Sequence, residues 1–91
     1  MEANGLAENE KIRAIVMIYG QQYTISGTET TGHMQQVAAI VDNKMREIHS
    51  VNPNLNTSSL AVLTAVNTIH EYIKLQEKYE KLVEEFKQLK D

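Results

Sequence analysis

The chain has 91 residues, a formal net charge of -3 and no cysteine, which excludes disulfides, thiolate metal sites and a cysteine nucleophile. The acidic balance argues against nucleic acid as the main partner, because neutralising phosphates requires a basic patch. A chain this short has little material for a core, and with disulfides excluded, association is the remaining route to stability.

Residues 1–10 read MEANGLAENE. They lack periodicity and are expected to form a disordered arm. They also lack the basic and apolar regions of a signal peptide, and no apolar run is long enough to span a bilayer, so a soluble, cytoplasmic protein without membrane insertion is expected.

The pattern then changes to period two. Lys11 to Tyr19 reads KIRAIVMIY and Gln22 to Gly27 reads QYTISG, separated by Gly20-Gln21. A Gly-X pair at that place predicts a two-residue type II′ hairpin. Pairing across it sets Tyr19 opposite Gln22, Ile18 opposite Tyr23, Met17 opposite Thr24 and Val16 opposite Ile25. Ala14, Val16, Ile18, Tyr23 and Ile25 then share one face, while Ile15, Met17, Tyr19, Thr24 and Ser26 share the other. A hairpin alone is barely stable, so its apolar face is expected to lie on a helix.

Gly27 to Gly32 is a loop in which Thr30 or Thr31 is a candidate N-cap. Met34, Val37, Ala38, Val41, Met45 and Ile48 recur at steps of three and four, predicting a one-faced amphipathic helix from about Gly32 to Ser50 with Asp42 and Arg46 on its wet side. The stretch SVNPNLNTSS, which holds the only proline, ends it.

A second helix, capped by Asn56 or Thr57 and running to Lys90, spans roughly 50 Å at 1.5 Å per residue. Its first part is apolar on several faces, with Leu60 and Leu63 joined by a row of Val62, Val66, Ile69 and Ile73, the signature of a helix buried nearly all round. Its second part narrows to one stripe. Tyr72, Leu75, Tyr79, Leu82, Phe86 and Leu89 alternate steps of three and four, placing the aromatic residues at heptad position a and the leucines at d of a coiled-coil seam. The fold expected is therefore α+β: a hairpin and an amphipathic helix packed on a long C-terminal helix that projects as a coiled coil. The arm takes residues 1–10, the head 11–70 and the stalk 71–91.

Materials for catalysis are scarce. His33, His49 and His70 fall on different expected elements without zinc-ligand spacing. The four glycines form neither nucleotide-binding fingerprint. The carboxylates gather on the stalk, where exposure keeps them from acting as general acids. No enzyme activity, cofactor or metal is expected. The basic residues of the head, Lys11, Arg13, Lys44 and Arg46, either balance neighbouring acids or contact an acidic partner. Arg13, Lys44 and Arg46 are the candidates for such a contact, Arg46 supplying the planar fork it favours. The same basic residues support an alternative reading as a small nucleic-acid-binding homodimer.

Taken together, IYG at Ile18 to Gly20, AAIVDNKM at Ala38 to Met45 and LAVLTAVN at Leu60 to Asn67 make the chain resemble the ZapA family of bacterial cell-division proteins, in the form found in Bacillus-like bacteria. The resemblance covers nearly everything after residue 10. It implies a non-enzymatic protein that binds the tubulin-like GTPase FtsZ, promotes lateral association of its filaments and supports the cytokinetic ring at midcell. It also implies homodimers formed through the head and the first part of the long helix, and antiparallel dumbbell homotetramers formed through the coiled coil. The resemblance places Leu60, Leu63, Val66 and Asn67 in the dimer core, which Ile73 extends. Some family members carry a basic residue directly after the turn glycine. Here that position is Gln21, and a later one is Thr24, so that contact does not carry over.

Overall fold

A computed structural model describes residues 11–90 of the chain; the expected N-terminal arm, residues 1–10, lies outside the described residues. The order is β1 (Ile12–Ile18), β2 (Gln21–Gly27), α1 (Thr31–Val51) and α2 (Thr57–Lys90), the α+β succession of a hairpin and two helices read from the sequence.

β1 and β2 form a two-stranded antiparallel sheet in which Ile18 faces Gln21, Val16 faces Tyr23 and Ala14 faces Ile25. The expected register is corrected by this pairing. The turn residues are Tyr19 and Gly20, not Gly20 and Gln21, and both have positive φ, 51° and 81°, the sign pattern of a type I′ turn rather than type II′. Moving a two-residue turn back by one position shifts each partner by two. Because side chains alternate with period two, every residue keeps its face. Ala14 and Val16 are buried as expected, and Ile15 and Met17 lie on the opposite, open face.

α1 begins where Thr30 ends the loop in extended backbone and its side-chain oxygen accepts from the His33 amide at 3.0 Å. This N-cap satisfies one of the orphan donors of the first turn. The apolar spacing of α1 lays Met34 and Ala38 against Ala14 and Val16 of β1, with Ile18 and Ile25 half-buried against the cluster. Val37, read as part of the apolar face, is exposed. The Asn52 amide closes the helix on the Ile48 carbonyl at 2.9 Å, and Pro53 follows.

The chain divides into two units, one ending at Leu55 and the other beginning at Asn56. The second is α2, capped by Asn56, whose Oδ1 accepts from the Ser59 amide at 2.8 Å. Leu60 and Thr64 are its buried residues. The Thr64 hydroxyl donates to the Leu60 carbonyl at 2.8 Å, which satisfies a polar group that burial would otherwise penalise.

Candidate functional site

Two features are candidates for function: the surface of α2 and a side-chain cluster that ties the hairpin turn to α1.

On α2, Tyr72, Leu75, Tyr79, Leu82, Phe86 and Leu89 are between 58% and 85% exposed. An unbroken helix keeps them in one stripe, since heptad spacing returns each residue to nearly the same side. Nearer the start of α2, Leu63, Val66, Asn67 and Ile73 are exposed as well, whereas Leu60 is 0% exposed. The residues read as a dimer core thus fall into two kinds. Leu60 is consumed within the single chain, and the others are open to a partner. A row of large apolar side chains this long is what a protein–protein surface presents.

At the turn, Tyr19 is a non-glycine residue held at positive φ, a conformation disfavoured for its side chain. Its amide donates to Asp42 Oδ1 at 2.6 Å. The other carboxylate oxygen of Asp42 accepts from Arg46 Nε at 2.8 Å. The Arg46 guanidinium in turn lies 5.3 Å from the centroid of the Tyr19 ring, within reach of a cation–π contact. His49 meets the same ring edge-on, with centroids 6.2 Å apart. The hydrogen bond from Arg46, then that from the Tyr19 amide, holds the Asp42 carboxyl below its ordinary pKa, while Asp42 raises that of Arg46. The cluster therefore carries a fixed carboxylate that anchors the turn.

The three basic candidates are separated by this arrangement. Arg13 alternates with Ala14 and Val16 and so lies on the face of β1 turned away from α1, beside exposed Ile15 and Met17. Lys44 is half-buried on α1. Arg46 is engaged with Asp42 and Tyr19, although its side chain is still largely exposed. In the sequence, His49 and Asp42 are considered separately and are not brought together with Tyr19. The spacing Asp42, Arg46, His49, at steps of four and three, marks one stripe of a helix and was the available signal. Among the described residues, no group of three or more His, Cys, Asp or Glu side chains gathers as a metal would require, and no helix is long and apolar enough to cross a membrane.

The chain is similar to known proteins over most of its length. A family model described as "Cell division protein ZapA" matches residues 15–91. A relative of that name from Geobacillus sp. (strain WCH70) is 56% identical over 86 residues, covering 94% of this chain and 99% of the relative. Another from Bacillus thuringiensis (strain Al Hakam) is 61% identical over 77 residues, covering 85% of this chain and 86% of that one. Among solved structures, a ZapA mutant dimer from Geobacillus stearothermophilus is similar with a TM-score of 0.66 at 51% identity, over 85% of this chain and 90% of that one.

Proposed function

The chain belongs to the ZapA family of cell division proteins, and from that membership we propose that it is a non-enzymatic division factor that binds FtsZ filaments and draws them together laterally at the midcell ring. The observation that carries this reading is the open apolar stripe of α2, together with the exposed Leu63, Val66 and Ile73 before it. Such a surface has no use in a solitary chain and every use in an assembly.

Mechanism follows from symmetry. Heads pair through residues 11–70, with Leu63, Val66 and Asn67 at a contact that Ile73 extends into the stalk, and stalks, residues 71–91, join two such dimers antiparallel as coiled coil. A solved relative, a ZapA mutant from Geobacillus stearothermophilus, is a dimer, which supports the first step. A closed assembly of identical chains displays the same filament-binding surface more than once. A filament is itself a repeating array, so the second contact is made at high effective concentration and bridging outlasts any single contact. Arg13, Lys44 and Arg46 supply basic groups for an acidic filament surface, with Arg13 the least committed inside the chain. The hairpin carrying Arg13 is held by the Asp42 anchor at its turn.

High-speed cosedimentation tests binding. With FtsZ assembled by GTP, the chain is expected in the pellet up to a stoichiometric limit. A chain that stays in the supernatant whether or not polymer is present overturns the reading. A fluorescent fusion is expected as a band at midcell in dividing cells.

A further inference from the structure

We infer that the stalk pairs with a second copy of itself in one antiparallel register centred between Glu80 and Lys81, fixed by Lys78 of each chain meeting the partner's Glu85. The inference deepens the assembly proposed above and rests on it.

The seam residues leave few choices. In a parallel, in-register pair, layers of Tyr or Phe facing themselves alternate with layers of Leu facing themselves, so bulky and lean layers follow one another along the axis. In the antiparallel pair each a residue faces a d residue. With the centre between Glu80 and Lys81, Tyr72 faces the partner's Leu89, Tyr79 faces the partner's Leu82 and Phe86 faces the partner's Leu75. All six seam residues are then used, and every layer holds one aromatic ring and one leucine. An apolar hollow on α2 agrees with this register. It is lined by Leu82, Val83, Glu85, Phe86 and Leu89, four of which are the d, g, a and d residues that form a hole for a knob opposite Phe86. The register delivers the partner's Leu75 to it.

Charges flanking the seam select among antiparallel registers. Position g is occupied by Glu71, Lys78 and Glu85, and antiparallel helices bring g against g. In the register above, Lys78 meets the partner's Glu85 and Glu85 meets the partner's Lys78. Sliding by one heptad in one direction puts Glu71 on the partner's Glu85 and Lys78 on the partner's Lys78. Sliding in the other puts Glu85 on the partner's Glu85. Both slips lose seam contacts and gain like-charge contacts, so the sequence disfavours the alternatives as well as favouring the register. A parallel pair would use Glu85 against the partner's Lys90 and leave Lys78 facing Val83.

Charge exchange tests the register by sedimentation across a concentration series, on the full chain. Lys78→Glu and Glu85→Lys alone are each expected to weaken stalk association about tenfold, as two attractive flanking pairs become repulsive. The double exchange is expected to restore association to within about twofold of the native chain. A double variant no stronger than Glu85→Lys alone overturns the inference, because a parallel pair predicts that result. The chain has no cysteine of its own, so a second measurement is clean. Lys78→Cys chains mixed with Glu85→Cys chains are expected to form the mixed disulfide on oxidation, and its absence contradicts the register without disturbing the seam. A native chain that shows no association through the stalk overturns both the register and the proposed assembly. Native association without rescue by the double exchange overturns the register alone.

Discussion

Leu60 and Leu63 lie one helical turn apart on α2, and the two are expected to fail in different ways. Leu60 is fully buried within the single chain, whereas Leu63 is 40% exposed. Leu60→Ala removes three carbon groups from a closed site. At about 0.8 kcal/mol each the transfer loss is near 2.5 kcal/mol, and the cavity left behind brings such changes to about 2–5 kcal/mol. For a domain whose whole stability is about 5–15 kcal/mol, that is a large share, equivalent to a fall in Tm of roughly 10–25 °C. The loss is independent of protein concentration because the contacts are made within one chain. Leu63→Ala instead removes surface that is covered only on association, so its deficit relative to the native chain is expected to be small in dilute solution and to grow with concentration, following mass action. Thermal unfolding followed by circular dichroism over a hundredfold range of concentration separates the two. The reasoning is refuted if Leu60→Ala costs less than about 1 kcal/mol, or if both variants show the same deficit at every concentration.

Four further outcomes follow from the turn and the cap of α2. Asp42→Ala is expected to speed amide exchange at Tyr19, and Asp42→Asn, which keeps an acceptor oxygen, to do so less. Arg46 and the Tyr19 amide depress the folded pKa of Asp42, so its contribution is complete above the unfolded value of about 3.9 and is lost as pH falls through the folded value. The Tyr19 amide resonance is expected to move in acid as Asp42 is protonated in the native chain and to lose that acid transition in Asp42→Asn; an acid transition that persists in Asp42→Asn contradicts the assignment. Gly20→Ala meets no atom within 4 Å yet sits at a φ of 81°, so denaturant unfolding is expected to record a loss of about 1–2 kcal/mol from backbone strain alone. Asn56→Ala is expected to cost about 1 kcal/mol and to fray the first turn of α2, seen as faster exchange at the Ser59 amide.

The elements themselves were legible from residue type, spacing and turn residues. Ile12 to Ile18, a short apolar run rich in β-branched residues and followed by a turn glycine, marks a strand, and the helical spacing of Met34, Ala38 and Met45 marks a helix with one dry face. Thr30 and Asn56 were legible as caps because a short polar side chain before an apolar-periodic run has few other uses. The turn was misplaced by one residue because a glycine at the first position of a two-residue loop is the simplest local solution. The chain instead puts Tyr19 there, and its disfavoured backbone is held by Asp42, 23 residues away. Local pattern does not report a bond of that range. Arg46 was visible as a cation on a wet helix face, and its i,i+4 pair with Asp42 is local to α1, but its place over the Tyr19 ring depends on α1 lying along β1. Leu60 and Leu63 look alike in sequence; only the folded chain separates the buried one from the open one.

The central claim is that the chain gathers filaments because its stalk multiplies one binding head. Low-speed pelleting of GTP-assembled FtsZ, which collects bundles and leaves single filaments in solution, tests it with the native chain beside a Leu82→Gln/Phe86→Gln variant. The native chain is expected to send polymer to the pellet, and the variant to bind filaments in high-speed runs while leaving them unbundled at low speed. Equal bundling by both would contradict the account.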